Sequence, residues 1–277
     1  MQVFKKVLNF YVNSSIHVAL SVTSLTCITL LEFHKIWCKN ILFFVFFASV
    51  TGYNFVKYFG LAKFHHRSLA NLLKAIQIFS FLSFICMCYF ALQLNDEALF
   101  YVFCFGVITF FYAIPFLPKT FFVDSKQNLR SVGGLKVYLI ALVWTGVTVF
   151  LPLIDAEQTI NADVIITGIQ RFLFIIVLML PFEIRDLQYD SLKLSTIPQK
   201  IGVKQTKLMG VWLLIVFFLL EMFKDEVFKN NGIIMFLISI ITLLFLKFSR
   251  KKQGVYYSSF WVEAIPIIWL LLFVCFN

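Results

Sequence analysis

The chain has 277 residues, of which 61% are hydrophobic and only 14% charged, and its mean hydropathy is +0.89. Soluble domains are roughly 45–50% apolar and about 25% charged, so this composition excludes a soluble globular protein and indicates an integral membrane protein. The formal net charge of +10 would suggest a nucleic acid partner in a soluble chain. Here the basic residues are distributed over the short loops between apolar segments, which excludes that explanation.

Nine apolar segments are long enough to span a bilayer, which takes about 20 residues of helix. They lie at 14–33, 41–59, 75–94, 99–116, 135–154, 164–182, 208–223, 233–248 and 260–276. The strands of a membrane barrel would alternate apolar and polar residues over about 10 positions, and no segment does so. The sequence therefore predicts an all-α, polytopic membrane helical bundle that forms a single domain over residues 1–277.

The charges in the loops predict the orientation of the bundle, because Lys and Arg accumulate in cytoplasmic loops. The N-terminus and the loops after the second, fourth, sixth and eighth spans are each net positive. The loops after the third, fifth and seventh spans are net negative, and the first loop is only weakly positive. We expect a multi-pass protein of the plasma (inner) membrane, with a cytoplasmic N-terminus and an external C-terminus.

One segment at the end of the sixth span carries three carboxylates at helical spacing. Glu183, Asp186 and Asp190 stand at i, i+3 and i+7, so a continuing helix would present them on one face. Close carboxylates repel one another unless a cation lies between them, and Mg²⁺ shares such carboxylates with substrate phosphate oxygens. The pattern is consistent with a Mg²⁺ and diphosphate site. The alternative is an interfacial cluster that nearby cations neutralise, namely Arg185, Lys193 and Lys200.

The segment FEIRDLQYD at 182–190 resembles the second Asp-rich motif of the UbiA family of membrane prenyltransferases, with Glu183 in place of the usual first Asp. Further similarities follow the family's order along the chain. They are Tyr112 with Pro115, the fifth-span opening at 136–144, Ser195 to Pro198 with Gly202, and Tyr256, Tyr257 and Glu263 near the last span. The resemblance covers almost the whole chain, including the nine spans, and implies the UbiA-like bundle.

The first Asp-rich motif of that family is degenerate in this chain. Asn54 is present, but the three acids expected after it are replaced by Phe55, Tyr58 and Ala62. At least one metal of the family's site should therefore be missing. Cations near this segment can neutralise phosphate charge directly, namely Lys57, Lys63 and Arg67 with the adjacent His65 and His66. The alternative is that these are ordinary cytoplasmic loop residues.

The resemblance implies an enzyme that binds a polyprenyl diphosphate with Mg²⁺, ionises its allylic bond and passes the prenyl group to a lipophilic or aromatic acceptor at the cytoplasmic face. Glu183, Asp186 and Asp190 would bind the metal, with Asp186 and Asp190 catalytic. The substrate-binding residues would be Asn54, Lys57, Lys63, Arg67, Arg185 and Lys193. The alternative is a non-catalytic prenyl-lipid-binding or assembly protein of the same fold. A transporter is disfavoured, because paired Gly- or Pro-broken spans are not evident.

Three polar residues fall inside predicted spans, where they need a partner or a cavity. Arg171 would either line the substrate chamber or extend toward the outer interface beside Asp163. Glu263 lies in the last span, and its partner cannot be identified from spacing. His17 is either a satisfied histidine of the bundle or part of an acceptor site.

Overall fold

The computed structural model describes residues 2–35, 39–58, 67–113, 134–189, 195–225 and 231–276, with the backbone only at 2–4, 67–71 and 113. Within these ranges the chain forms helices and no strands, which confirms the predicted all-α class. The helices are α1 (Gln2–Asn13), α2 (Ile16–Glu32), α3 (Lys39–Tyr58), α4 (Arg67–Ala91), α5 (Asp96–Ala113), α6 (Leu135–Asp155), α7 (Ala162–Asp186), α8 (Ile197–Phe223), α9 (Asn231–Phe248) and α10 (Tyr257–Phe276).

Seven helices of the described chain, α3, α4 and α6 to α10, are long and apolar enough to cross a membrane. The helices α1 and α2 meet at an angle of 57° and together make an eighth candidate span. The chain bends between them at Ser15, whose φ of 64° is left-handed. The remaining predicted span, 99–116, coincides with α5 as far as Ala113, and its predicted end lies outside the described residues.

Helix α8 begins earlier than the predicted span at 208–223, because its first part, before residue 208, is helical although it is polar. The backbone N–H of Thr196 donates to Gln199 Oε1 at 3.0 Å, and Pro198 lies in the first turn, where its missing N–H costs no hydrogen bond. Gly202 then interrupts the helix with a φ of +78°, a conformation that glycine adopts without steric cost. Hydropathy located the apolar part of this helix and missed its start.

Helix α7 runs through the core of the bundle, and its residues Phe174, Ile175 and Val177 are completely buried. Phe174 packs against Trp269 of α10 with ring centroids 5.0 Å apart, and Phe217 of α8 lies 5.8 Å from the same ring. These aromatic contacts hold α7, α8 and α10 together.

Arg171 takes neither of the two roles that we predicted for it. It is only 1% exposed, and it donates to Leu25 O and Thr29 Oγ1, both at 3.2 Å. Its guanidinium carbon lies 5.0 Å from the centroid of the Trp269 ring, a cation–π distance. Arg171 therefore links α2 and α10 through α7 and satisfies the requirement for partners at that depth.

Candidate functional site

A cavity of about 370 Å³ lies where α7 ends, and the helices α1, α3, α6, α7 and α10 contribute to its wall. Ligand pockets usually measure about 300–1,000 Å³, so the volume suits a small ligand or part of a larger one. Charged side chains line part of the wall, namely Lys57, Lys136, Glu183, Arg185, Asp186 and Glu263. Apolar side chains line another part, including Val12, Val137, Ile140, Met179 and Phe182. This lining suits an amphipathic molecule with a charged head and an apolar tail.

Glu183 and Asp186 stand one turn apart at the end of α7 and converge on one cation. Lys136, the second residue of α6, places its Nζ atom 2.9 Å from Glu183 Oε1 and 3.4 Å from Asp186 Oδ2. The side chain of Glu183 is 3% exposed, whereas those of Asp186 and Lys136 are 20% and 22% exposed. The cluster is therefore buried on the Glu183 side and accessible from the cavity on the Asp186 side.

Arg185 also lies in the cavity wall, as the prediction for diphosphate binding requires. Its Nε and Nη2 atoms each lie 2.8 Å from Asp186 Oδ1, and its Cζ atom is 5.3 Å from the centroid of the Phe182 ring. The predicted neutralising cation Arg185 is thus present, but Lys136 is the cation that contacts both acids. Lys136 belongs to the fifth-span opening and lies 47 positions before Glu183, so no spacing in the sequence predicts this contact.

The two described polar residues of the degenerate first motif have different positions. Lys57 lines the cavity, and its Nζ atom donates to Ser15 Oγ at 2.9 Å. Asn54 is 3% exposed and is not part of the cavity wall. Its amide donates to Ser14 O and Ser80 Oγ and accepts from Ser15 Oγ, at 2.8–2.9 Å. Asn54 holds the bend between α1 and α2 against α4, and through Ser15 it positions Lys57.

Glu263 of α10 is a further cavity residue, which we had noted from the resemblance but had not assigned to the site. A π-helical segment, Tyr257–Val262, precedes it. His17 Nε2 bonds to Phe260 O at 2.8 Å, and its Nδ1 bonds to the hydroxyl of Tyr11 at 2.8 Å. Both nitrogens of His17 are therefore used within the bundle, and they anchor the segment that presents Glu263.

The helix α1 forms one side of the cavity and is fastened at two points. The hydroxyl of Tyr256 donates to Asn9 Oδ1 at 2.5 Å, and that of Tyr58 donates to Asn13 O at 2.9 Å. Tyr58 occupies a position where the family has an acid, so the degenerate motif contributes a structural contact here. The nine predicted spans leave out α1, because its apolar residues are interrupted by Lys5, Lys6 and Asn9.

Several predicted site residues cannot be placed. Asp190, Lys193 and Lys63 lie outside the described residues, as do Ala62, His65 and His66. Arg67 begins α4, and its side chain is not among those described. The third carboxylate of the i, i+3, i+7 pattern thus stays a prediction.

The carboxylates of the cavity are chemically suited to Mg²⁺ only if a substrate supplies further oxygens. Among the described residues no group of three His, Cys, Asp or Glu side chains could hold a metal ion. Glu183 and Asp186 supply two carboxylates, and Mg²⁺ is commonly bound through one or two carboxylates together with substrate phosphates and water. These two residues therefore fit a substrate-bridged ion, which would have to displace Lys136 from between them.

An apolar layer separates this cavity from the opposite end of the bundle. Along α7, the residues between Arg171 and Met179 are all apolar, and they include the fully buried Phe174, Ile175 and Val177. Phe217 and Trp269 pack against Phe174 at this level. Arg171, which lies against Trp269, marks the far end of this layer.

Comparison with known proteins identifies the fold but not the family by sequence. No protein-family model matches the chain, and a search of curated proteins finds no match. A solved structure of digeranylgeranylglyceryl phosphate synthase in membranes is similar over 98% of each chain, with a TM-score of 0.58 and 17% sequence identity. At this identity the likeness concerns the fold alone. The chain is an all-α, multi-pass membrane bundle with the fold of a UbiA-type prenyltransferase.

Proposed function

We propose that this protein is a membrane prenyltransferase, which transfers a prenyl group from a polyprenyl diphosphate to a lipophilic or aromatic acceptor at the cytoplasmic face of the plasma membrane. The observation that carries the proposal is the pair Glu183 and Asp186 with Lys136 in the wall of a partly apolar cavity, within a fold similar to that of a prenyl-lipid synthase. The distribution of loop charges supports the cytoplasmic position of this end.

The charge balance of the cavity supports a role for Mg²⁺. Three cations, Lys57, Lys136 and Arg185, stand against three carboxylates of Glu183, Asp186 and Glu263 in the described wall. A diphosphate is a polyanion, so binding it in a site without excess positive charge requires an additional cation. Mg²⁺, held by Glu183 and Asp186 with Asp190 as the further predicted ligand, would supply that charge.

The remaining residues of the site would act on the two ends of the substrate. Lys57 and Arg185 would donate to the diphosphate oxygens, with Lys63, Arg67 and Lys193 as further predicted contacts and Asn54 positioning Lys57. When the allylic C–O bond breaks, its electron pair leaves with the diphosphate, and these donors stabilise that charge. The allylic cation would lie against the aromatic ring of Tyr53, since an aromatic face favours positive charge. The acceptor then forms the new bond to the allylic carbon and releases a proton.

A second candidate function is a non-catalytic prenyl-lipid-binding or assembly protein. Two observations favour it. The first motif has Phe55, Tyr58 and Ala62 instead of acids, and Tyr58 fastens α1 rather than facing a metal. In addition, Lys136 already neutralises Glu183 and Asp186. Such a protein would bind the prenyl lipid without turnover.

The test is binding of a fluorescent farnesyl or longer prenyl diphosphate to the detergent-purified chain, with and without Mg²⁺. We expect Mg²⁺-dependent binding that is lost in Asp186→Asn and retained in Asp96→Asn, a matched control at an exposed carboxylate of α5. Product formation from a membrane lipid extract then separates an enzyme from a binding protein. Absence of binding by well-folded protein, with or without Mg²⁺, would refute both candidate functions.

A further inference from the structure

A second cavity lies at the opposite end of the bundle, beyond the apolar layer. It measures about 270 Å³, and its wall includes Glu32, Asp163, Thr167, Lys224, Asp225 and Asn231. These residues come from the end of α2, the beginning of α7, the chain after α8 and the first residue of α9. The site shares no residue with the cavity at Glu183 and Asp186, so an inference about it is independent of the proposed function.

The one described cation in the wall of this cavity is already paired. Lys224 Nζ lies 3.0 Å from Glu221 Oε2, and both side chains are 5% exposed. Glu221 also accepts from Gln170 Nε2 at 3.0 Å and from Asn231 Nδ2. Because the charge of Lys224 is directed to Glu221, the carboxylates of Glu32, Asp163 and Asp225 line the wall as hydrogen-bond acceptors.

Three oxygen atoms in this wall lack a hydrogen-bond partner among the described residues. They are Thr167 Oγ1, Asn231 Oδ1 and Glu32 Oε2, and the residues Thr167 and Asn231 are each only 2% exposed. Buried polar atoms in proteins are nearly always hydrogen-bonded, and a buried unsatisfied oxygen is costly. Since amide and carboxylate oxygens only accept hydrogen bonds, a ligand that donates hydrogen bonds would satisfy them.

The donor set argues against a metal ion as that ligand. No group of three His, Cys, Asp or Glu side chains among the described residues could hold one. The cavity is also far larger than the roughly 30 Å³ that a single water occupies in the liquid. A primary ammonium group carries a positive charge and three N–H donors, which matches one buried carboxylate oxygen, one amide oxygen and one hydroxyl.

We propose that this cavity binds a primary ammonium group, held between Glu32, Thr167 and Asn231. The group can come from an ethanolamine lipid headgroup or from a free amine. The cavity lies where α2 ends and where α7 and α9 begin, which is the level of the lipid headgroups when these helices span the bilayer. A lipid headgroup is therefore the expected source. Asp163 accepts from the backbone N–H of Asp225 at 3.0 Å and keeps the rim of the cavity in place.

The experiment is native mass spectrometry of the detergent-purified chain with phosphatidylethanolamine, phosphatidylcholine and phosphatidylglycerol of identical acyl chains. The choline headgroup keeps the positive charge without N–H donors, and the glycerol headgroup has no amine. We expect phosphatidylethanolamine to be retained at least about tenfold better than either, which corresponds to one charge-assisted hydrogen bond. Ethanolamine in solution should compete with it.

Variants at the cavity and at a control surface complete the test. Glu32→Gln with Asp225→Asn removes two charges, and Thr167→Val removes one acceptor with little change of shape; each should reduce the preference about tenfold. Asp96→Asn with Glu97→Gln removes two exposed charges at the same end of the bundle and should leave it unchanged. Thr167→Val alone remains informative if the double variant does not fold.

The outcomes separate the sources of the amine and decide the proposal. In one outcome, ethanolamine stabilises the chain, Thr167→Val abolishes that stabilisation, and phosphatidylethanolamine is not retained selectively. This outcome supports the ammonium site with a free amine as its ligand. Equal retention of the three lipids without any effect of ethanolamine overturns the proposal. Selective retention that the cavity variants do not reduce overturns it as well, because the lipid would then bind elsewhere.

Discussion

Replacing Lys136 by Met tests the charge cluster at the end of α7 without removing either carboxylate. The variant keeps the apolar stem and deletes the ammonium group that lies 2.9 Å from Glu183 and 3.4 Å from Asp186. Breaking a fully buried ion pair costs about 3–5 kcal/mol. Lys136 is 22% exposed, and Arg185 remains paired with Asp186, so we expect a smaller loss of about 1–3 kcal/mol in the free energy of unfolding.

The assay is thermal unfolding of the purified protein in detergent, without and with Mg²⁺. At about 2–4 °C per kcal/mol for a chain of this size, Lys136→Met should lower Tm by roughly 2–12 °C. Adding Glu183→Gln should restore most of that loss, because the uncompensated buried charge is then removed. Mg²⁺ should raise the Tm of Lys136→Met more than that of the wild type, since the ion no longer competes with Lys136.

Lys204→Met is the matched control, since Lys204 is an exposed cation of α8 at the same end of the bundle. Its Tm should stay close to that of the wild type. If Lys136→Met unfolds at the same temperature as this control, the cluster contributes nothing to stability and the reasoning is wrong. If Glu183→Gln lowers the Tm further instead of restoring it, the buried charge of Glu183 is compensated by other groups and Lys136 is not its essential partner.

Two further predictions concern packing around the site and are checked by the same thermal unfolding. Gly210→Ala should lower the free energy of unfolding by about 1–3 kcal/mol. The new Cβ atom would lie 2.3 Å from Leu246 Cδ2 and 3.0 Å from Leu180 Cδ1, and both leucines are buried. The control Gly106→Ala adds its Cβ atom in open space and should not destabilise the protein. Asn54→Leu should cost about 2–4 kcal/mol by leaving its buried partners unsatisfied and should weaken prenyl diphosphate binding through displacement of Lys57, whereas unchanged stability would contradict the anchoring role.

Part of the site could be predicted from the local pattern of the sequence. Glu183 and Asp186 share one face of α7 because residues three apart on a helix always do, and this required only that the helix continue past the apolar segment. Lys57 and Arg185 were predicted as substrate-binding residues, and the structure places both in the cavity wall. Asn54, from the same motif as Lys57, faces a different direction and anchors the bend between α1 and α2.

Composition and hydropathy by themselves determined that the chain is a helical membrane bundle, because a bilayer accepts only segments whose backbone hydrogen bonds are satisfied internally and whose side chains are apolar. Tertiary structure alone decided which distant residues meet. Lys136 contacts Glu183 across 47 positions of sequence, Glu263 reaches the same cavity from the last helix, and Arg171 finds Trp269 at the level of the core. These contacts depend on how the helices pack against one another, and no spacing along a single helix encodes that arrangement.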